Sequence, residues 1–395
     1  MALMRSLAGV AARRTASLVR PLSSGAGIDV SALTVTRSEA CRSPPENAAL
    51  KGQFGKIFSD HMFVCDHVKG AGWGAPRVVP HAPLALSPAA MTLHYALQCF
   101  EGMKAYRGDD GSIRLFRPDL NAARMTSSLK RLRMPTFEAD AFVECLKALL
   151  RADEAWVPTG EGHSAYLRPT AIATDPFLGV GEPTETKLFC ILSPVGPYYA
   201  DGFNPIAVYA DASNVRAWPG GAGNTKIGGN YAPSIKPARD AADATNGEAQ
   251  QVLYLFGDDH RVTEVGAMNV FVLWKDDEGK TELVTAPLDY GDILPGVTRR
   301  SVLELAASEV GDIDVVSERP FTMKDVRKAA ADGRLLEVFG AGTAAVICPI
   351  NKIFYEGDAI DVPTGTDIGP VANTFWQKLS DIQYGRVDSP WSVVV

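Results

Sequence analysis

The spacing of apolar residues predicts helices and strands throughout the first half of the chain. Apolar side chains recur every three or four positions in some segments, as on one face of a helix, while other segments are short apolar runs typical of buried strands. On this basis we expect helices at residues 87–100, 119–131 and 139–151 and strands at residues 166–173 and 187–193.

A second set of elements follows a segment rich in Pro, Gly and Tyr at residues 194–204, where we expect the connection between two domains. Short apolar runs separated by Asp- and Gly-containing turns predict an antiparallel meander. The expected strands lie at residues 206–210, 251–256, 262–264, 269–274 and 282–285, and the expected helices at residues 232–244, 298–310 and 323–331. Both halves therefore predict mixed α/β (α+β) architecture, with a cleft between domains as the default site.

Composition narrows the functional classes. The 395 residues suit two domains, no apolar run approaches the roughly 18 residues of a transmembrane helix, and the formal net charge is −7. We expect no membrane partner and, without a Lys/Arg-rich run, no nucleic-acid partner. The six cysteines form no C-x-x-C pair and are too sparse for a disulfide framework.

The N-terminus differs from the rest of the chain. Residues 1–24 contain four arginines, several Ser and Thr residues, and no Asp or Glu. This composition is typical of a mitochondrial presequence that is removed in the matrix, although a plastid transit peptide or a disordered tail has a similar composition. We exclude these residues from the fold.

Three Gly-containing motifs are candidates for phosphate binding. GGAGNTK at residues 220–226 lacks the Gly-Lys-Ser/Thr of a P-loop. GAGTAA at residues 340–345 fits a dinucleotide fingerprint but is followed by a strand-like segment rather than a helix. LPGVT at residues 294–298 leads into a helix, so its free N–H groups could hold an anion, although most such turns are only caps.

Individual residues suggest more specific chemistry. Lys226 lies among small residues, where a ligand can approach closely, and Glu264 interrupts an apolar strand, where a buried carboxylate requires a positive partner such as a protonated pyridine nitrogen. Tyr166 and Arg168 lie two apart on one face of a strand. Two histidines and a cysteine at residues 61–67 match no zinc pattern, so we expect no metal.

Seven motifs in order closely resemble the branched-chain amino acid aminotransferases of the eukaryotic mitochondrial type, which are fold-type IV pyridoxal 5′-phosphate enzymes. They are QCFEGMK at 98–104, LFRP at 115–118, YLRP at 166–169, KIGGNY at 226–231, TEVG at 263–266, LPGVTR at 294–299 and FGAGTA at 339–344. The resemblance implies a small α/β domain at residues 25–198, an interdomain loop at 199–205 and a large cofactor-binding domain at 206–395. It also implies a homodimer whose active site lies at the domain and dimer interface.

The resemblance assigns the cofactor site residue by residue. Lys226 matches the lysine that binds the cofactor covalently and moves the substrate proton, which makes it the catalytic residue. Glu264 matches the partner of the pyridine nitrogen, and Tyr231 the partner of the phenolic oxygen. The residues that match phosphate ligands are Arg124, Val297, Thr298 and Thr343.

The resemblance also implies a substrate pocket that accepts Leu, Ile or Val in one half-reaction and glutamate in the other. Arg168 matches the group that meets the distal carboxylate of glutamate, and the turn amides of Thr343, Ala344 and Ala345 match those that meet the α-carboxylate. The apolar lining matches Phe54, Tyr95, Phe100, Tyr166, Val180 and Tyr198, with Tyr95 and Val180 contributed by the partner subunit.

The chain departs from the animal mitochondrial pattern at two positions. Ala267 replaces a threonine beside the cofactor, and Ala345 replaces the first cysteine of a redox C-x-x-C, which leaves Cys348 without that second thiol. Two alternatives remain open from sequence: another fold-type IV enzyme, such as a D-amino acid aminotransferase or an aminodeoxychorismate lyase, and a catalytically idle binding or scaffold dimer.

Overall fold

Two β-sheets and their flanking helices make up the computed structural model, which describes residues 27–197, 204–308 and 310–395. The strands of the described residues are β1 (Thr34–Val35), β2 (His61–Val68), β3 (Gly72–Trp73), β4 (Arg77–Pro80), β5 (Gln98–Phe100), β6 (Met103–Arg107), β7 (Ile113–Phe116), β8 (Ser164–Ala173), β9 (Glu185–Val195), β10 (Ile206–Asp211), β11 (Ala249–Phe256), β12 (Arg261–Val265), β13 (Met268–Lys275), β14 (Thr281–Thr285), β15 (Val315–Glu318), β16 (Leu335–Gly342), β17 (Val346–Tyr355), β18 (Asp358–Asp361) and β19 (Ser392–Val394). The α-helices are α1 (Met91–Tyr95), α2 (Pro118–Arg131), α3 (Ala139–Ala152), α4 (Ile235–Ala244), α5 (Val297–Ser308), α6 (Met323–Ala331) and α7 (Pro370–Gln383).

The first sheet has the strand order β1-β4-β2-β9-β8-β6-β7-β19, with β3 paired to β2 and β5 paired to β8. Its main strands are antiparallel, and the long β8–β9 ladder forms its centre. Helix α3 presents an apolar face that includes Phe142, Leu146 and Leu149, all fully buried in the core beneath this sheet. Burial of this face is the main force that holds the helix on the sheet.

The second sheet has the strand order β12-β11-β10-β17-β16-β13-β14-β15, with β18 paired to β17. Strands β11 to β14 form the antiparallel meander that the sequence predicts. Strand β10 lies between β11 and β17 and is parallel to both.

A shared apolar core joins the two sheets. It combines Tyr106 and Phe116 of the first sheet with Phe271 and Phe339 of the second, and Phe375 of α7 packs among them. The C-terminal strand β19 pairs with β7 and so returns to the first sheet. Because this core fixes one sheet against the other, the cleft between them has a defined shape.

The predicted mixed α/β fold is confirmed, and so are the predicted helices that correspond to α2, α3, α4, α5 and α6. The predicted helix at residues 87–100 is wrong, because only Met91–Tyr95 is helical and Gln98–Phe100 pairs with β8 as a strand. Ala96 ends the helix in a left-handed conformation (φ 49°), and the ladder with β8 then determines the chain's path. The segment 1–24 and most of the loop 199–205 lie outside the described residues, and the domain boundaries stay a prediction.

Neither a membrane span nor a metal cluster is found in the part of the chain that the structure describes. No helix there is long and apolar enough to cross a bilayer. No group of three or more His, Cys, Asp or Glu side chains is arranged to hold a metal ion among those residues. The buried His61 instead pairs with Asp153, 2.6 Å from its Nδ1.

Candidate active site

A cavity of about 370 Å³ opens between the two sheets. Strand β8 and the loop after β5 form one wall, and the start of α5 and the turn between β16 and β17 form the other. It contains most of the residues that the sequence singles out. The lining residues are Phe54, Phe100, Gly102, Arg124, Tyr166, Arg168, Lys226, Tyr231, Ala267, Asn269, Leu294, Gly296, Val297, Thr298, Ala341, Gly342, Thr343 and Ala344.

Lys226 is anchored in the floor of this cavity by its backbone. Its N–H donates to Ser128 Oγ at 2.8 Å and its carbonyl accepts from the Phe100 N–H at 3.0 Å. Its Nζ donates to Tyr231 Oη at 2.8 Å. Burial, together with the Arg124 guanidinium, lowers the pKa of Lys226 to about 7. The side chain is therefore a neutral, nucleophilic amine in a substantial fraction of molecules near neutral pH.

Glu264 is a buried carboxylate on β12, only 1% exposed. Asn269 Nδ2 donates to its Oε1 at 3.0 Å, and the guanidinium of Arg216 contacts its Oε2 as an ion pair. Burial raises the pKa of Glu264 to about 7, and Arg216 opposes that rise. Oε2 therefore already faces a cationic N–H group, which is the kind of partner that a protonated ring nitrogen also presents.

An anion cradle lies at the start of α5. Val297 and Thr298 are the first residues of that helix, where backbone N–H groups have no partner within the helix. Arg124 of α2 faces them and is held in place by two bonds from its guanidinium to the fully buried Glu101, at 2.7 and 2.8 Å. Together with Thr343 across the cavity, these groups have the charge and donors that a phosphate dianion requires.

One end of the cavity, where the resemblance places the substrate, is lined by aromatic rings and one cation. The Tyr166 ring meets Phe54 edge-on at 5.0 Å, and the Arg168 guanidinium lies 4.8 Å from the Phe100 ring. Arg168 Nη2 donates to Tyr166 Oη at 3.1 Å. Arg168 Nε is buried without a hydrogen-bond acceptor, and no carboxylate of the described residues pairs with this arginine. Any side chain at position 102 would displace Tyr166, since a Cβ there would lie 1.9 Å from Tyr166 Oη.

The remaining predicted pocket residues lie elsewhere in the described chain. Tyr95 and Val180 are 40% and 83% exposed and do not line the cavity. Tyr95 ends helix α1, and its Oη donates to the carbonyl of Leu178 in the nearby loop that carries Val180. Ala345 is buried in the turn beside the cavity. Tyr198 lies outside the described residues.

Three site residues were not predicted from the sequence. Glu101 and Asn269 orient Arg124 and Glu264, and Arg216 neutralises Glu264. Glu101 lies directly after Cys99 and Phe100 in the QCFEGMK motif. Because a buried carboxylate is costly without a partner, the sequence could have indicated that Glu101 pairs with a cation. Arg216 lies in a loop with no periodicity, and only the folded structure brings it to Glu264.

Cys348 gives a prediction about oxidation. It is 2% exposed in β17, and Ala345 rather than a second cysteine lies three residues before it. Burial raises the pKa values of Cys99 and Cys190 well above the usual range, so those thiols are also poor nucleophiles. We expect mild peroxide to leave activity largely unchanged. Activity assays with peptide mapping test this, and thiol-reversible inactivation with a Cys348 disulfide would contradict it.

Comparison with known proteins identifies the family of the chain. The class IV aminotransferase family ("Amino-transferase class IV") matches residues 98–353. The chain is 49% identical over 369 residues to the branched-chain-amino-acid aminotransferase of Monosiga brevicollis, covering 93% of each chain. It is 45% identical to the mitochondrial form of Mus musculus, covering 91% of this chain and 89% of that one, and a cytosolic form of the same species is also 45% identical.

A solved structure has the same fold. The branched-chain amino acid aminotransferase from Escherichia coli is 25% identical, with a TM-score of 0.65, covering 85% of this chain and 98% of that one. Class IV aminotransferases depend on pyridoxal 5′-phosphate, and the Lys226, Glu264 and α5 arrangement fits that group. The chain belongs to the branched-chain-amino-acid aminotransferase family of class IV aminotransferases.

Proposed function

We propose that the protein exchanges the amino group between L-leucine, L-isoleucine or L-valine and 2-oxoglutarate, giving branched 2-oxo acids and L-glutamate in a reversible ping-pong cycle. One observation carries the substrate assignment: Arg168 has no carboxylate partner among the described residues and lies among the aromatic rings that line one end of the cavity. The aromatic lining suits an apolar side chain, and the guanidinium suits the second carboxylate of glutamate.

The chain's own residues supply positioning and proton transfer. When bound, pyridoxal phosphate supplies a carbonyl carbon for the amino group and an acceptor for the electrons released at Cα. Arg124, Val297, Thr298 and Thr343 would hold its phosphate, Glu264 would keep its ring nitrogen protonated and Tyr231 would donate to its phenolic oxygen. Lys226 would bind it covalently, and the free Nζ would take the proton that leaves the substrate Cα and return one in the second half-reaction.

Substrate orientation depends on both ends of the amino acid. The turn amides at Thr343, Ala344 and Ala345 bind the α-carboxylate, while the side chain lies against the aromatic wall of Phe100 and Tyr166. Because aspartate is one methylene shorter than glutamate, its distal carboxylate falls short of Arg168. A steady-state comparison of leucine, isoleucine, valine, glutamate and aspartate tests this. Efficient use of aspartate, or rejection of all three branched substrates, would overturn it.

The homodimer is part of the same proposal. Besides Tyr95 and Val180, the side chains of Leu93, Phe177 and Leu178 are 58%, 59% and 63% exposed, which makes one apolar face on α1 and the loop between β8 and β9. A soluble monomer rarely leaves so many large apolar side chains together in water. We propose that this face meets a second copy and brings Tyr95 and Val180 to the partner's cavity. Sedimentation of the purified protein at the monomer mass would contradict it.

We also propose a mitochondrial location for this aminotransferase. The Arg-rich, acid-free residues 1–24 support import into the matrix, followed by removal of that segment. Imaging of the full-length chain fused to a fluorescent protein tests the proposal. Diffuse cytosolic or plastid fluorescence would overturn it.

A further inference from the structure

Lys104 is a buried lysine that the cofactor and substrate assignments leave unused. It lies on β6 directly opposite Tyr166 of β8, so both side chains project from the face of the sheet that borders the cavity. The residue is 7% exposed, and its Nζ donates to the Ala344 carbonyl at 2.7 Å. This bond joins the first sheet to the turn between β16 and β17 of the second sheet.

The Lys104 ammonium has no carboxylate partner among the described residues. Burial lowers its pKa to about 8, so it remains mostly protonated at neutral pH. Lys104 also lines a small gap of about 10 Å³, which Thr298 and Thr343, two residues of the proposed anion sites, line as well. A buried cation without a counter-carboxylate is costly unless an anion binds near it.

The turn that Lys104 holds is strained. Val346, the residue directly after the turn, has a φ of +63°, a conformation that β-branched residues rarely adopt. Such strain persists only where the surrounding contacts enforce it, and it is concentrated at functional sites. The contact from Lys104 to the Ala344 carbonyl is one of the contacts that hold this turn in place.

Peptide geometry connects this contact to the substrate. In a trans peptide the C=O and N–H groups point in opposite directions, so the bond from Lys104 to the Ala344 carbonyl turns the Ala345 N–H away from Lys104. Thr343 and Ala344 line the large cavity. A cation on the carbonyl oxygen also polarises that peptide and makes its N–H a stronger donor.

We propose that Lys104 is a positioning residue for the substrate α-carboxylate, holding the 343–345 turn so that its amides face the carboxylate and adding a nearby positive charge. This inference rests on the proposed function, since it requires the turn amides to bind that carboxylate. Every substrate carries an α-carboxylate, so Lys104 affects all of them. Arg168, by contrast, discriminates between glutamate and leucine.

The test compares two inhibitors of the holoenzyme against L-leucine. 4-Methylpentanoate has the carbon skeleton and carboxylate of leucine without the amine, and 4-methylpentan-1-ol is its neutral counterpart. We expect Lys104→Met to raise the inhibition constant of 4-methylpentanoate about tenfold and that of 4-methylpentan-1-ol less than about twofold. The same variant should raise KM for leucine and glutamate by similar factors. Lys104→Arg should recover most of the loss. Lys352→Met, on β17 away from the turn and paired with Glu248, is the matched control.

If Lys104→Met raised both inhibition constants equally, the role of Lys104 would be merely structural. An unchanged inhibition constant for 4-methylpentanoate would also overturn the inference. If Lys104→Met fails to fold, Lys104→Gln, which keeps a donor without the charge, is judged by the same ratio. A wild-type holoenzyme that binds neither 4-methylpentanoate nor L-leucine would overturn the proposed function itself, and with it this inference. Normal wild-type binding with an insensitive variant overturns only the role of Lys104.

Discussion

Replacing Lys226 with Ala should lower the rate of amino transfer at least about a thousandfold. The variant loses both the amine that binds the cofactor and the base that moves the Cα proton, and general acid–base catalysis alone contributes about 10²–10⁴-fold. Because Lys226 is anchored by its backbone and its side chain faces a cavity, the fold should persist. Single-turnover kinetics with L-leucine and the visible spectrum of the purified protein measure the two losses separately.

Lys236 provides the matched control for this experiment. It lies ten residues further along, on α4, with a side chain that is 78% exposed and paired with Asp240. Lys236→Ala should behave like the wild type. Substantial activity in Lys226→Ala, with the cofactor still bound covalently, would assign the chemistry to another lysine.

Replacing Arg168 with Gln should separate the two substrate classes. Only glutamate and 2-oxoglutarate bring a second carboxylate, and losing a hydrogen bond to a charged group costs about 1.5–3 kcal/mol. At 1.4 kcal/mol per tenfold, kcat/KM for glutamate should fall about 10- to 150-fold relative to that for leucine. The measurement is kcat/KM for both amino acids in the same preparation.

Arg239→Gln is the control for a change of the same type at an exposed ion pair with Asp243. Its effects on both substrates should be small, since exposed pairs contribute little. Equal losses for glutamate and leucine in Arg168→Gln would mean that Arg168 only supports the aromatic wall through Tyr166 and Phe100.

The sequence predicts a helix or strand well where one of its faces is buried and a residue such as proline marks where the element begins. Helix α2 begins at Pro118 and α3 carries a continuous apolar face, so both were found to within one residue. The segment at residues 87–100 was misread because its apolar spacing fits a helix, while pairing of Gln98–Phe100 with β8 decides the outcome. Local pattern carries no information about that partner strand.

The same limit decides which site residues can be recognised from the sequence. Lys226 and Glu264 can be recognised because a lysine among small residues and a carboxylate in an apolar strand are each unusual in their local surroundings. Arg216 and Lys104 cannot, because their partners, Glu264 and the Ala344 carbonyl, are distant in sequence. What makes those two residues significant is burial next to a group on another element, which only the folded chain supplies.

The product balance of one reaction tests the proposed amino transfer most directly. Purified holoenzyme is mixed with L-leucine and 2-oxoglutarate, and 4-methyl-2-oxopentanoate and L-glutamate are measured together, with D-alanine replacing L-leucine in parallel. We expect equal amounts of the two products from L-leucine and almost none from D-alanine. Turnover of D-alanine with L-leucine untouched, or no transfer from either in cofactor-loaded protein, would contradict it.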